Sequence, residues 1–277
     1  MSARKALFPF GLLLATGISG AFLLLPLIAI FTRIPLSTLV SELGNSVVID
    51  ALIVSVKTTL VAQAAILVFG TPTAYLLATR RFPGRSLAIT LVELPLVLPP
   101  AVAGIGLLAA FGRSGLLGST LQVFGVELPF TQTAVVLAVA FVASPLYVRQ
   151  AIASFEAVDQ SLVDASRTLG ASPARTFARI AMPLALGGLT AGAALAFARG
   201  LGEFGATIMF AGSFQGVTQT LPLAIYAEFE SKFEVALAIG GLLVAISALL
   251  LVALKIRLGW TSSKSTSLFL SARSRSS

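Results

Sequence analysis

Between residues 7 and 31 the chain carries no charged side chain. A helix over that run would be roughly 37 Å long at 1.5 Å per residue, enough to cross a hydrocarbon core of about 30 Å. Five further apolar runs follow, at about 51–78, 87–111, 131–153, 180–211 and 233–254. In lipid a backbone donor or acceptor has no water to turn to, so each run has to be helical. The expected architecture is an all-α integral membrane protein with six transmembrane helices in one domain, 1–262, followed by a disordered Ser-rich cytoplasmic tail, 263–277. Composition agrees: 57% of residues are hydrophobic, only 11% are charged, and mean hydropathy is +0.98. A cleaved signal peptide is the alternative for the first run, which follows Arg4 and Lys5 and has small residues at 15–21. The run is longer than a usual signal core of about 7 to 15 residues, so it reads as an uncleaved span.

The chain has no cysteine and no histidine. Disulfides, thiolate metal sites, the commonest metal ligand and the usual proton carrier near neutral pH are therefore all missing, and no metal site is expected. The net charge of +8 could suggest nucleic acid, but the basic residues flank apolar runs instead of forming a patch with base-reading groups. They serve better as topology determinants. Of the 19 basic residues, only Arg33, Arg113 and Lys232 fall on one side of the six-span arrangement, with Lys57 and Arg199 inside spans. The positive-inside rule then places both termini and the loops at 80–85 and 154–179 in the cytoplasm of a multi-pass cell-membrane protein. The segments at 32–50, 112–130 and 213–232 lie outside, the last as a polar loop and the first with a short interfacial helix.

Three spans carry helix breakers. Pro95, Pro99 and Pro100 crowd the third, so it must be kinked and must face protein or a wet cavity; a purely mechanical kink and a lining of a translocation pathway are equally open. The fourth is broken by Pro145. The fifth is too long for one straight crossing and is tilted or broken near Gly200, Gly202 and Gly205.

The polar interruption between the fourth and fifth runs contains an elbow at about 159–176. Ser161 and Asp164 have the spacing of a helix-capping box, and Leu162, Ala165 and Leu169 give a short helix an apolar face. Gly170 fits its C-terminal stop, and Ser172-Pro173 fits the N-cap and first residue of a second helix. Asp164-Ala165-Ser166, three residues, Gly170, nine residues and Ile180-Ala181-Met182-Pro183 resemble the cytoplasmic loop signature of ABC importer membrane subunits, Glu-Ala-Ala-x3-Gly-x9-Ile-x-Leu-Pro. The spacing matches throughout; Asp for Glu, Ser for Ala and Met for Leu depart conservatively. The resemblance implies that Asp164, Ala165, Ser166, Leu169 and Gly170 couple this chain to an ATP-hydrolysing subunit.

A second constellation lies in the fifth span: Arg199, Gly200, Gly202, Glu203, Phe204, Gly205 and Thr207, then Thr218-Gln219-Thr220-Leu221-Pro222-Leu223. Arg199 and Glu203 are four apart and can pair on a helix. Counted from Pro183, they lie roughly 24 and 30 Å along the span, in its outer half. A charge in mid-membrane costs about 2.5 to 3.5 kcal/mol, so both should face the bundle interior or water. A structural ion pair and a place at an outer gate remain equally open. This segment is similar to the membrane subunits of molybdate or tungstate importers, and somewhat less to those for sulfate or thiosulfate. With Pro99 and Pro100, the residues Arg199, Glu203, Phe204 and Gly205 form the candidate pathway and gate.

The resemblance implies the type I ABC importer permease fold, a second copy of this permease, two ABC ATPase subunits inside and an extracytoplasmic oxyanion-binding protein outside. No nucleic acid is expected as a partner. It also implies oxyanion import by alternating access. The chain itself is not expected to be an enzyme or to bind a cofactor: it has no Gly-x-x-x-x-Gly-Lys-Ser/Thr loop, so ATP and Mg belong on the partner. Intramembrane proteases and rhomboid-like hydrolases fail for want of histidine. An ion-coupled secondary transporter is the other class, but it has no need of a docking elbow.

Overall fold

The computed structural model describes residues 3–33 and 35–273. Arg275, in the expected tail, lies outside them, as do the side chains of Arg4 and Lys5. Among the described residues every regular element is a helix, with no strand.

Helix α1 (Ala3–Thr32) stands at the periphery, touching the rest where Gly241 lies beside Ile30 and Phe31. The segment after α1, expected outside, forms a short helix, α2 (Leu36–Glu42), whose Leu39 packs on Ala238. α3 (Ser46–Thr79) starts earlier than expected because Asn45 caps it, its side chain accepting from the Val47 N–H at 3.0 Å.

The third apolar run is sharply bent where its prolines crowd. It divides into α4 (Arg85–Val97) and α5 (Pro100–Phe111), turned by 114°. Leu98 and Pro99 are extended between them, and Pro100, having no N–H to lose, opens α5. Pro95 is accommodated inside α4. After α6 (Gly118–Val123) comes α7 (Gln132–Glu156), continuous where a break at Pro145 was expected. Pro145 is buried among neighbouring helices, and the helix runs on through it.

The elbow comprises α8 (Gln160–Thr168) and α9 (Pro173–Thr176). A π-helical turn, Phe177–Ala181, then leads into α10 (Met182–Leu201). There the Met182 N–H bonds to the Phe177 carbonyl, five residues back. Pro183 next along cannot donate, and a π turn absorbs the misfit. The fifth span breaks after α10, as its glycines suggest, and resumes as α11 (Gly205–Ala211).

The stretch at 213–232 is only in part a polar outer loop. It contains α12 (Leu221–Glu228), with Leu221, Leu223 and Ala224 wholly buried, and Thr218, Gln219 and Thr220 are buried before it. Polarity misleads here because the backbone finds partners inside: the Ser55 hydroxyl accepts from the Leu221 N–H at 2.7 Å. α13 (Phe233–Arg273) also overruns its expected end, continuing as helix through most of the tail expected to be disordered. No proline interrupts 234–273, so nothing in the backbone stops it.

α3, α7 and α10 form the centre. Along α10, Gly188, Gly192, Ala196 and Gly200 make a stripe of small residues against α7. A Cβ at Gly192 would lie 2.9 Å from the Gln150 Cβ, and one at Gly200 would lie 2.8 Å from Val139 Cγ1. One apolar cluster gathers Ile66, Leu77, Tyr147, Phe155 and Leu189; another gathers Leu107, Val135, Val139 and Phe210. Tyr147 is buried against Gly70, with its hydroxyl 2.6 Å from that of Thr71. α5 and α11 meet as closely: a Cβ at Gly104 would lie 2.6 Å from the Ala206 carbonyl oxygen and 2.9 Å from its Cα.

Gly104→Ala should therefore destabilise the purified chain by about 1 to 3 kcal/mol, since backbone must move to admit the methyl. Gly106→Ala, two residues on in the same helix and facing open space, should be close to neutral. Equal melting temperatures for both variants in the same detergent would contradict this packing.

Candidate functional site

Two assemblies stand at opposite ends of α10, roughly 30 Å apart for a helix of this length. The first is the elbow. Its N-cap is Asp159, not Ser161: the Asp159 carboxylate accepts from the Ser161 N–H at 2.9 Å. Asp159 wins because it stands in extended backbone one residue before the helix, whereas Ser161 is already helical. That backbone hydrogen bond holds the Asp159 carboxyl below the usual carboxylate range. Its stabilising effect is present above the ordinary carboxylate pKa and is lost as pH falls through the lowered value. Asp164 instead accepts from the Gln160 side chain at 3.2 Å and lies 3.9 Å from Arg167, exposed.

The elbow closes through side chains that look minor in sequence. The Ser166 hydroxyl donates to the Val163 carbonyl and lies 2.9 Å from the hydroxyl of Thr176, which is buried. Serine in place of the second alanine thus ties α8 to α9, with buried Val163 beneath. Thr176 escaped the sequence reading because nothing marks a lone threonine as a cross-link. At the other end Gly170 has φ of 82°, its N–H bonds to the Arg167 carbonyl and that of Ala171 to Ser166. This is a Schellman stop, and only glycine enters that conformation without strain. Ser172 caps α9 through the Arg175 N–H, as the sequence suggests. Leu162, Ala165 and Leu169 face out of the chain, Leu169 being 88% exposed. The apolar face of α8 is thus turned away from this chain.

The second assembly joins the two helix breaks. A Cβ at Gly205 would lie 2.8 Å from the Pro100 Cβ and 3.1 Å from the Ala101 nitrogen, so the break at Gly202–Phe204 abuts the start of α5. Arg199, in the last turn of α10, lies 2.7 Å from Glu203 through Nη1 and Oε2. Oε2 is at contact distance without an aligned hydrogen bond, so the interaction is chiefly Coulombic. The other oxygen, Oε1, accepts from the Ala206 N–H at 2.8 Å and so caps α11. Glu203 is 1% exposed and Arg199 34%. The Phe204 ring packs 5.5 Å from Tyr226. Pro99 and Pro100 are exposed beside them, and Val97 is 83% exposed. The structure thus brings Pro100, Arg199, Glu203, Phe204 and Gly205 together and keeps Asp164 through Gly170 apart from them. Ser55, which receives the Leu221 N–H, had no signal in the sequence beyond being a hydroxyl in an apolar run. Among the described residues, no group of three or more acidic side chains is placed to hold a metal ion.

Residues 70–258 match the model of the family described as binding-protein-dependent transport system inner membrane component. The chain is 43% identical over 232 residues to the molybdenum transport system permease protein ModB of Mycobacterium tuberculosis, covering 82% of this chain and 86% of that one. It is 40% identical over 257 residues to the probable transport system permease protein NifC of Clostridium pasteurianum, covering 92% and 90%. To ModB of Escherichia coli K12 it is 44% identical over 178 residues, 64% of this chain and 78% of that one. Among solved structures it superposes on a bacterial ABC transporter involved in the import of the acidic polysaccharide alginate. The TM-score there is 0.66 at 17% identity, covering 94% of this chain and 96% of that one. It also matches the MetNI methionine ABC transporter in inward-facing conformations, with TM-score 0.57 at 20% identity, covering 76% and 94%. At these identities the likeness to the two structures is one of fold.

Two outcomes follow from the geometry. Gly170→Val forces a β-branched residue into a left-handed turn at a cost of about 1 to 3 kcal/mol. Hydrogen exchange should then show loss of protection over 160–176 with the spans unchanged; unaltered protection would mean the turn is not strained. For the charge pair, Arg199→Gln and Glu203→Gln should each destabilise more than the double variant, because a single change strands a buried charge; the coupling should be about 1 to 3 kcal/mol. Strictly additive thermal shifts would show that the two side chains do not interact.

Proposed function

The chain belongs to the family of binding-protein-dependent transport system inner membrane components, and on that premise we propose that it is the multi-pass permease subunit of an ATP-driven importer carrying molybdate, or tungstate, into the cell. The observation that carries the substrate is identity of 43% over 232 residues to a molybdenum transport permease. No feature of the fold favours sulfate instead.

In this reading the exposed face of α8 docks on an ABC ATPase subunit. The Ser166–Thr176 contact and the Gly170 stop make α8, α9 and the base of α10 one rigid lever. ATP and Mg act on that partner, and this chain has no hydrolytic role. A second copy completes the pathway, which the exposed third-span break supports: Val97, Pro99 and Pro100 need protein or water opposite them in a membrane. A binding protein delivers the oxyanion to the face bearing α2, α6 and α12, while the positive-inside bias puts the elbow and both termini in the cytoplasm. When ATP draws two elbows together the pathway opens outward, and hydrolysis resets it.

At the paired breaks Arg199 supplies a donor that is one-third exposed, while Glu203 keeps it from holding a dianion tightly. Thr207, Gln219 and Thr220 each carry a buried side-chain oxygen without a protein partner, a condition suited to groups that meet internal water along a pathway. A transient pathway of this kind has little means of reading oxyanion size, so selection resides in the binding protein.

Proteoliposomes holding the permease, its ATPase, the cognate binding protein and ATP should accumulate labelled molybdate. Uptake should require ATP and should fall about tenfold or more with Gly170→Val if strain in the elbow breaks coupling. Sulfate uptake that micromolar molybdate fails to compete away would overturn the substrate; uptake of neither oxyanion would point to another small solute.

A further inference from the structure

A separate recess lies where the ends of α3, α4 and α7 meet on the elbow side. It has a volume of about 900 Å³, and its lining includes Arg80, Arg81, Arg85, Phe155, Glu156 and Gln160. Arg85 is committed: its Nε donates to the Leu77 carbonyl at 2.6 Å, and its Nη2 to Glu156 Oε1 at 2.6 Å. That bond also uses the one carboxylate in the lining. Arg80 and Arg81 are exposed, and among the described residues neither has an ion-pair or side-chain hydrogen-bond partner. Arg80 directly follows the last residue of α3, and residues 58–79 before it carry no charged side chain; that run is about 33 Å of helix, which matches a hydrocarbon core of about 30 Å and so fits Arg80 and Arg81 to its headgroup boundary. Exposed apolar side chains lie close to them in sequence: Leu76 is 51% exposed, Phe82 40% and Leu87 63%.

We propose that this recess binds the phosphodiester headgroup of an anionic phospholipid in the elbow-side leaflet. Arg80 and Arg81 are the ligands, and the acyl chains lie along Leu76, Phe82 and Leu87. Guanidinium groups pair with phosphate oxygens in a bidentate fork, and two unpaired cations over an apolar wall match an amphiphile better than a free ion. Arg85, fixed by Leu77 and Glu156, forms the floor and holds α4 against α7 so that the recess stays open. The proposal rests on the reading of the chain as a membrane permease but not on its substrate.

The test uses the full chain in mild detergent, with retained lipid counted by native mass spectrometry after exposure to equal phosphatidylglycerol and phosphatidylcholine. Phosphatidylglycerol should be retained about fivefold or more over phosphatidylcholine, and Arg80→Gln with Arg81→Gln should bring the two level. Excess inorganic phosphate should leave the lipid in place, and so should added ATPase subunit. No preference in the unaltered chain, or a preference that survives the double substitution, would overturn the proposal. Displacement by phosphate would make this a free-anion site, and displacement by the ATPase a protein contact, and either would overturn it too. The readout contains no oxyanion transport, so failure of the molybdate assignment would leave it untouched.

Discussion

A backbone group that leaves a helix inside a bilayer has to find its partner in protein, because lipid offers none. Two such departures, at Leu98–Pro99 and Gly202–Phe204, lie against each other in the bundle. Proline reduces the debt at the first, since Pro100 has no N–H to satisfy, and the Pro99 carbonyl accepts from Val102 and Ala103. At the second the Glu203 carboxylate takes the Ala206 N–H and restarts the helix as α11. A carboxylate this deep needs a counter-charge, and Arg199 one turn back provides it. The ion pair, the glycines and the prolines are therefore parts of one solution, and the distinction between a structural pair and a pathway residue narrows: the pair sits where the helices part.

The same constraint explains the segment before α12. Thr218 accepts the Phe214 N–H, and Ser55 on α3 accepts that of Leu221, so irregular backbone is carried inside the bundle by hydroxyl groups. Such groups are inconspicuous in a chain with 57% hydrophobic residues.

How far the fold could be read from sequence follows from which signals are local. Length and apolar composition locate the spans, and the chemistry of Gly170, Ser172 and Pro173 locates the turns of the elbow. The Arg199–Glu203 contact is legible from a spacing of four. What escapes is whatever depends on the neighbours. Pro145 does not end its helix, since packing holds α7 together around it, while Pro99 and Pro100 turn the chain through 114° because two consecutive residues without N–H groups end one helix and start another. The cap of α8 is displaced from Ser161 to Asp159, and its apolar face proves to point away from this chain, since Val163 and Ser166, not Leu162 and Leu169, meet α9. Thr218 to Leu223 looks like a loop by polarity and is core by burial.

The π-helical turn at Phe177–Ala181 joins the elbow to α10 with one residue more than an α-helical turn would hold. Expelling that residue would rotate the helix beyond it by about 100°. Gly188, Gly192 and Gly200 forbid such a rotation, because bulkier neighbours on α10 would be driven into Gln150, Ser154 and Val139 of α7. In the coupling proposed above, a displacement of the elbow would therefore not be dissipated as twist but would reach α7 and α10 together, with the ångström-scale closeness of glycine to its neighbours as the source of stiffness.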